Sequence, residues 1–372
     1  MRSISDTIAR LKSGRGLAGA HPPPVSRLSR LTDFGANPGA LGAHVYVPAN
    51  LARNAPLVVA LHGCTQTAAG YDHGSGWSQL ADRHGFALLF PEQQRPNNPN
   101  LCFNWFAPQH VTRGSGEAAS IAGMVDAVVQ GHGLDRTRIH ITGLSAGGAM
   151  TAAMLATYPE MFAGGAIIAG LPFGCAGSVS EAFERMRGQG LPSERGLEAT
   201  VRRASRHDGP WPTLSLWHGT ADATVAPANM DALVGQWRGL HGLARESSEH
   251  NVLGRHRQRV WRDAAGTARI EAYEITGMGH GTPLDGADDL GAPGAFMLDA
   301  GISSTRHIAR FWQLTTPGTE LSVPAEDRSE RPAARSTRPA DEAPVPAWQG
   351  GASAAGVGKV IEDALRAAGL MR

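Results

Sequence analysis

Short apolar runs alternate along the chain with longer amphipathic segments. Pro56–Leu61 and Phe86–Pro91 are apolar almost throughout, as expected of central strands that are buried on both faces. Tyr71–Gly85 and Gly116–Gly131 repeat their apolar residues at the spacing of helices. This alternation of strand and helix predicts the α/β class, with a mostly parallel central sheet and helices on both of its faces.

The alternation is interrupted in a few places, and these predict the domain organisation. Residues 1–27 form an amphipathic segment followed by a linker that contains Gly and Pro, and residues 28–316 form the main domain. Within it, residues 171–212 break the strand–helix rhythm and predict a small cap insertion at the carboxyl edge of the sheet. Residues 317–355 have the composition of a disordered linker, and residues 356–372 predict a short C-terminal helix.

Composition narrows the range of functions. The 372-residue chain has a net charge of +1, so a nucleic-acid partner is not expected. The chain has no run of 18 apolar residues, so no membrane-spanning helix is predicted. The N-terminus lacks the apolar core of a signal peptide. Three cysteines are too few for a disulfide scaffold or a structural zinc site. No structural zinc site is therefore expected, and the oligomeric state is left open.

The most informative stretch is Arg138–Met150, with the sequence RIHITGLSAGGAM. A β-type run meets Gly-Leu-Ser-Ala-Gly and continues into a segment rich in Ala and Met. A G-x-S-x-G motif between a strand and a helix is typical of a nucleophile elbow, in which the serine occupies a strained turn and needs glycines around it. The pattern predicts Ser145 as a catalytic nucleophile.

Asp222 is the candidate residue for orienting a catalytic histidine. It follows the apolar run Thr213–Trp217, and an aspartate in such a loop can accept the Nδ1–H of a histidine. A simple turn residue or a helix N-cap is the alternative role. Asp208 precedes the strand and Asp231 lies in a helical run, so neither rival has the strand-end position.

His280 is the candidate general base. It is flanked by glycines on the loop after the alternating run Ala268–Ile275. The other serious candidates are His62, His218 and His307. The order of Ser145, Asp222 and His280 along the chain is the order found in α/β-hydrolases, with each residue after a strand. This order favours His280 over its rivals.

The loop after Pro56–Leu61 is a candidate for the oxyanion site. Hydrolases with a nucleophile elbow use one backbone N–H from such a loop and another from the residue after the nucleophile. These donors would be the N–H groups of Cys64 and Ala146. The alternative is that His62-Gly63 is only a turn that ends the strand.

Aromatic residues provide candidates for substrate contacts. Trp105 and Phe103 lie in an irregular segment, and Trp217 ends a strand, so these three could line an apolar cleft. Packing residues of the core are the alternative for the aromatic residues of the irregular segment. Such a cleft would suit short hydroxyalkanoate units and would equally suit a feruloyl ring.

Eight short motifs between Leu28 and Leu314 belong together. They are His62–Gln66, Gly74–Trp77, Asn97–Pro99, Cys102–Phe106, Gly143–Gly148, Ala169–Pro172, His218–Asp222 and Gly279–Gly281. As a set they resemble the polyhydroxybutyrate (PHB) depolymerase family of esterases, which is close to the feruloyl and acetyl xylan esterases.

The resemblance implies an α/β-hydrolase fold, a Ser145–His280–Asp222 triad and an oxyanion hole formed by the N–H groups of Cys64 and Ala146. It also implies a Cys64–Cys102 disulfide and an extracellular location. The expected activity is hydrolysis of carboxylic esters through an acyl-enzyme, which requires no metal or organic cofactor. The expected substrate is a polyester, an oligoester or a small ester, with short-chain poly- or oligo(3-hydroxybutyrate) first. The alternatives are a feruloyl or acetyl xylan esterase and, more remotely, a non-catalytic binding protein with a hydrolase fold.

Overall fold

The computed structural model describes residues 26–315. The predicted segments 317–355 and 356–372, and nearly all of 1–27, lie outside this part of the chain. The strands within it are β1 (Ser29–Arg30), β2 (Gly42–Tyr46), β3 (Leu57–Leu61), β4 (Ala87–Glu92), β5 (Ile139–Leu144), β6 (Gly164–Ile168), β7 (Thr213–Gly219), β8 (Glu249–Leu253), β9 (His256–Arg262), β10 (Ala268–Ile275), β11 (Thr282–Leu284) and β12 (Met297–Asp299).

Ten of these strands form one sheet in the order β1-β2-β4-β3-β5-β6-β7-β10-β9-β8. The six central strands, β4 to β10 in that order, pair in parallel. Antiparallel pairs extend the sheet at both edges. The predicted mostly parallel sheet is therefore confirmed. Strands β3, β5 and β6 are buried along their whole length, because helices cover both faces of the sheet.

The helices are α1 (Ala68–Ser75), α2 (Trp77–His84), α3 (Pro108–Val111), α4 (Gly116–His132), α5 (Ala146–Thr157), α6 (Val179–Met186), α7 (Glu194–Ala204), α8 (Ala228–Leu240) and α9 (Ser304–Phe311). Helices α4, α5, α7 and α8 contribute to the core on one face of the sheet. Helices α1, α2 and α9 contribute to the core on the other face, as predicted. Within residues 26–315, no helix combines the length and the apolar character needed to span a membrane.

The single helix predicted over Tyr71–Gly85 is wrong, because the chain forms two helices with a break at Gly76. The φ angle of Gly76 is +76°, a conformation that side chains disfavour, and a Cβ atom there would lie 2.5 Å from the backbone N of Gly291. The Asp72 carboxylate accepts a hydrogen bond from the backbone N–H of Ser78 at 2.8 Å and joins the two helices.

The predicted cap, residues 171–212, consists of two parts that pack in different places. Helix α7 packs against α5 and α8 and belongs to the helical layer on the sheet. The side-chain amide of Gln236 in α8 contacts the chain before and after α6. It donates hydrogen bonds to the carbonyl oxygens of Phe173 and Leu197. Helix α6 lies over the carboxyl ends of the strands and borders a cavity there. The part that covers the site is thus α6.

Candidate active site

Ser145 occupies a sharp turn between β5 and α5. Its φ and ψ angles are 57° and −117°, which is a strained conformation for a residue with a side chain. The turn is possible because glycines surround it. A Cβ atom at Gly147 would lie 2.5 Å from the carbonyl oxygens of Leu61 and His62, and one at Gly143 would lie 2.3 Å from the carbonyl oxygen of Gly147. The predicted elbow geometry is present.

The structure brings together the three residues that the sequence predicts as a triad. His280 Nε2 lies 2.8 Å from Ser145 Oγ, and His280 Nδ1 lies 2.7 Å from Asp222 Oδ2. Asp222 follows β7 and His280 follows β10, and these two strands are parallel neighbours in the sheet. Their carboxyl ends therefore present both side chains at the same edge as Ser145. A nucleophile, a base and an orienting group are within hydrogen-bond distance of one another.

Asp222 is held as an anion. Burial raises the pKa of its carboxyl, but hydrogen bonds from His218 and His280 outweigh burial and bring that pKa below its usual range. The other oxygen, Oδ1, accepts the backbone N–H groups of Thr224 and Val225, each at 2.9 Å. The side chain of Asp222 is fully buried, so these contacts also fix its position against His280.

Two backbone N–H groups close to Ser145 are open for a ligand. Ala146 is the first residue of α5, and the first N–H groups of a helix have no partner inside the helix. Within residues 26–315, the N–H groups of Cys64 and Ala146 donate no hydrogen bond to another residue. Cys64 also lines the cavity beside Ser145. These two groups remain the candidates for an oxyanion site.

The three rival histidines have other contacts. His62 is buried, with Nδ1 2.7 Å from the carbonyl oxygen of Gly63 and Nε2 accepting the N–H of Gln93 at 3.1 Å. His218 Nε2 lies 2.8 Å from the carbonyl oxygen of Val225 and 3.4 Å from Asp222 Oδ2. His307 packs edge-on against Trp217. None of these rings takes the place of His280 beside Ser145.

The Cys64–Cys102 disulfide is present, with the two Cα atoms 4.2 Å apart. It joins the loop after β3 to the irregular segment after β4. The backbone N–H of Thr65 adds a hydrogen bond of 2.7 Å to the carbonyl oxygen of Asn100. Cys175 is a free, buried thiol, and burial raises its pKa to about 12. The disulfide that the resemblance implies is confirmed.

A cavity of about 400 Å³ opens at Ser145 and His280. The irregular segment after β4 forms one wall, and it includes Trp105, as predicted. The other wall is α6, which the sequence did not single out as a binding surface. Lining residues that were not predicted include Phe106, His110, Val179, Ala182, Phe183, Met186 and Phe296. The amphipathic pattern of α6 could have indicated an apolar face, but not that this face borders the cavity.

Two of the predicted substrate contacts are wrong. Trp217 is 1% exposed, its ring stacks on Tyr273 with the centroids 3.7 Å apart, and its Nε1–H donates to Ser215 Oγ. Phe103 is 0% exposed and packs beside His62. Both rings are in the core and not on the cavity, because Trp217 lies on a buried strand and the ring of Phe103 packs into the core, while its neighbours Cys102 and Asn104 line the cavity.

The cavity wall is mainly apolar, and its remaining polar groups are largely neutral amides. Within residues 26–315, no group of three or more His, Cys, Asp or Glu side chains is arranged to hold a metal ion. The reactive groups at the cavity are the Ser145 hydroxyl, the His280 imidazole and the two open N–H groups. Such a set can attack a carbonyl carbon and stabilise the oxyanion that results.

Comparison with known proteins agrees with this geometry. Residues 41–262 match the family described as esterase PHB depolymerase. Poly(3-hydroxyalkanoate) depolymerase C from Paucimonas lemoignei is 46% identical over 293 residues, which cover 77% of this chain and 70% of that protein. Acetylxylan esterase A from Emericella nidulans is 33% identical, over 72% of this chain and 89% of that protein.

Two further relatives are similar over most of the described region. Feruloyl esterase B from Talaromyces stipitatus is 32% identical over 70% of this chain and 74% of that protein. The solved structure of an acetyl xylan esterase from Aspergillus awamori superposes with a TM-score of 0.64 at 29% identity. That similarity covers 68% of this chain and 93% of the solved one, and it agrees with the α/β-hydrolase fold.

Proposed function

The chain belongs to the PHB depolymerase family of esterases and is a carboxylic ester hydrolase, and on that premise we propose that it works through an acyl-enzyme on Ser145. The observation that carries this proposal is the hydrogen-bonded series from Ser145 Oγ through His280 to Asp222, at 2.8 Å and 2.7 Å. The non-catalytic alternative does not agree with membership of a family of esterases.

In the first half of the reaction, His280 Nε2 takes the proton of Ser145 while Oγ attacks the ester carbonyl carbon. The negative charge that develops on the carbonyl oxygen is stabilised by the N–H groups of Cys64 and Ala146. The tetrahedral intermediate collapses, His280 gives its proton to the leaving alcohol, and the acyl group remains on Ser145. Asp222, as an anion, holds His280 in the required tautomer and stabilises the imidazolium.

In the second half, water replaces the alcohol. His280 removes a proton from the water molecule as its oxygen attacks the acyl carbon, and the same two N–H groups bind the oxyanion. Collapse of this intermediate breaks the bond to Ser145 Oγ, which recovers its proton from His280. The acid is released and the side chains return to their starting state.

The cavity supports a short, apolar ester as the substrate. Its volume of about 400 Å³ lies near the lower end of the ~300–1,000 Å³ typical of ligand sites. Trp105, Phe106 and Phe183 provide an uncharged wall for methyl and methylene groups. With a relative named as a poly(3-hydroxyalkanoate) depolymerase, this supports oligo- or poly(3-hydroxybutyrate) as the substrate.

A second candidate is an esterase that acts on acetyl xylan or feruloyl esters. Relatives with these names are 33% and 32% identical to this chain, and the proposed catalytic groups would serve either reaction. The same apolar wall could contact an aromatic feruloyl ring. The lower identity of these relatives places this candidate second.

An extracellular location is also part of the proposal. The Cys64–Cys102 disulfide supports it, because disulfides persist mainly in oxidising compartments.

The test is acid release by the purified protein from amorphous PHB, soluble hydroxybutyrate oligomers, methyl ferulate and acetylated xylan, assayed side by side. We expect release from the first two substrates. Ser145→Ala should lower turnover on the order of a millionfold, as removal of a triad nucleophile does, while the fold is kept. Circular dichroism of the variant provides the folding control.

Each outcome separates the candidates. Release from PHB or its oligomers alone supports the depolymerase, and the ratio between them shows whether polymer or oligomer is the better substrate. Release from ferulate or acetylated xylan alone would overturn the first candidate and keep the proposed triad. A folded Ser145→Ala variant with wild-type turnover would overturn the mechanism.

A further inference from the structure

One wall of the cavity has no regular secondary structure. Residues 98–106, which we call the wall segment, lie between β4 and α3 and contain neither helix nor strand. They nevertheless line the cavity, with Trp105 and Phe106 among them. A segment without helix or strand must satisfy its backbone polar groups through side chains or isolated contacts. Some of these contacts lie within the wall segment, such as the hydrogen bond from the N–H of Leu101 to the carbonyl oxygen of Asn98, and others come from outside it.

Glu117 is the group behind this wall. It lies in the first turn of α4, is 0% exposed, and does not line the cavity. Its carboxylate accepts the backbone N–H of Asn104 at 2.9 Å and the Asn104 side-chain amide at 2.6 Å. It also accepts the side-chain amide of Gln93 at 2.7 Å. Three N–H groups therefore converge on one buried carboxylate.

The contacts continue from Glu117 along the wall segment. Gln93 donates from the same amide nitrogen to the carbonyl oxygen of Cys102 at 3.0 Å. Asn104 Oδ1 accepts the side-chain amide of Asn98 at 3.0 Å. Asn98, Cys102 and Asn104 are thus all tied to Glu117, directly or through one side chain. These three residues span most of the wall segment.

We propose that Glu117 is a positioning residue for the ester substrate: its carboxylate fixes the wall segment through Asn104 and Gln93, and so sets the shape of the cavity on that side. This inference rests on the proposed function, because it assumes that the substrate lies in this cavity. Glu117 touches neither Ser145 nor the position of the reacting carbonyl group. Its effect is on substrate binding.

A second buried carboxylate, that of Glu271, provides a control for Glu117. Glu271 is 5% exposed and accepts hydrogen bonds from Ser215, Gln258 and Tyr273. All three donors lie on strands that the sheet already holds in place, and none lines the cavity. Glu271 therefore has the burial and the hydrogen bonding of Glu117 without its contacts to the wall segment.

The first experiment compares Glu117→Gln with Glu271→Gln, using p-nitrophenyl butyrate as the substrate. An amide at position 117 has one acceptor oxygen and turns its own N–H₂ towards a donor, so part of the contact set is lost. We expect KM to rise roughly tenfold in Glu117→Gln while kcat changes less than about threefold, as for lost ground-state binding. Glu271→Gln should keep both constants within about twofold of wild type.

The second experiment exchanges the carboxylate and the amide between positions 117 and 104. Asn104→Asp places a carboxylate against Glu117, and we expect a larger rise in KM from the repulsion. In the double variant Glu117→Gln/Asn104→Asp, the new amide at position 117 can donate to the new carboxylate at position 104. The double variant should therefore have a lower KM than Asn104→Asp alone, a non-additivity that shows direct coupling. If Glu117→Gln alone does not fold, the double variant is compared with Asn104→Asp only, and an equal or higher KM in the double variant would overturn the proposed contact.

The outcomes of these experiments are distinct from those for Ser145. Equal constants for Glu117→Gln and Glu271→Gln, or additive effects of the two substitutions in the double variant, would overturn the positioning role while the triad mechanism stands. Activity retained in Ser145→Ala, measured in the same assay, would overturn the mechanism itself. A change confined to thermal stability in Glu117→Gln would show that the carboxylate serves the fold alone.

Discussion

The reactive groups and the cavity wall share one site but are held in different ways. Ser145, Asp222 and His280 each follow a strand of the parallel sheet, and the sheet fixes their relative positions. The wall segment, residues 98–106, contains no strand or helix, and a disulfide, a buried carboxylate and a few further hydrogen bonds hold it. On the proposed mechanism, the reacting groups are therefore held by the central sheet, and the surface proposed to contact the substrate is held mainly by side-chain contacts.

This difference has a consequence for substitutions. Changes among the reactive groups should lower turnover of every ester, because they act on steps that all esters share. Changes behind the wall segment should alter binding and stability, and their effects should be smaller. Loops on a rigid scaffold commonly carry selectivity in this way.

The largest effect is expected from Asp222→Asn, which removes the anion that orients His280. Turnover should fall by about 10⁴-fold, because the histidine is then held in the wrong tautomer. The matched control is Asp231→Asn, whose exposed carboxylate pairs with Arg259. Initial rates with p-nitrophenyl butyrate should stay within about twofold of wild type for this control. Similar losses in both variants would remove the distinction between Asp222 and its rival.

A smaller effect is expected from removing the disulfide in Cys64→Ser/Cys102→Ser. The bridge closes a loop of 38 residues, for which chain entropy gives a stabilisation of roughly 4 kcal/mol. Chemical denaturation measures this loss. Activity should also fall, because the bridge joins the loop of the Cys64 N–H to the wall segment.

Reductant provides the control for the disulfide. It should lower the activity of the wild-type protein and leave that of the double variant unchanged. Indifference of the wild-type protein to reductant, with the bridge shown to be reduced by thiol labelling, would mean that the wall keeps its shape without the bridge.

The smallest effect concerns pH and stability. Burial raises the pKa of Glu117 to about 7, from a usual value near 4.5, although Asn104 and Gln93 donate hydrogen bonds to it. Between these values the folded protein holds a proton that the unfolded chain has released. This proton therefore adds about 3 kcal/mol to the free energy of unfolding below about pH 4.5. The contribution is lost as the pH rises through about 7.

The measurement is the free energy of unfolding from pH 4.5 to 8 for the wild-type protein and Glu117→Gln. The difference between them cancels titrating groups that do not interact with Glu117. It includes any coupling to His110, whose Nδ1 lies 3.7 Å from the carboxylate. The wild-type value should fall relative to the variant as the pH rises. A rise in that difference would contradict the assigned burial of the carboxylate.

The reactive groups could be predicted from the sequence because their signals are local and ordered. Ser145 lies in a motif with glycines that the turn needs, and Asp222 and His280 each follow an apolar run. Parallel strands place their carboxyl ends at the same edge, so three separate positions in the chain imply one site. The hydrogen bonds among Ser145, His280 and Asp222 agree with that reasoning.

The cavity wall could not be predicted in the same way. Residue type does not show on which side of a buried strand a side chain packs, so Trp217 was a plausible contact although its ring stacks on Tyr273 in the core. The role of α6 depends on the path of the chain between β6 and β7, which no local pattern encodes. Glu117 gave no signal, because one Glu in the first turn of a helix is common.

The most direct test of the central claim is to locate the covalent intermediate. Diethyl p-nitrophenyl phosphate, which phosphorylates activated serines, is reacted with the wild-type protein and with Ser145→Ala, and peptides are mapped by mass spectrometry. We expect one adduct per chain, on Ser145, with loss of activity in proportion to labelling and no adduct in the variant. An adduct on another residue that accompanies the loss of activity, or equal labelling of both proteins, would contradict Ser145 as the nucleophile.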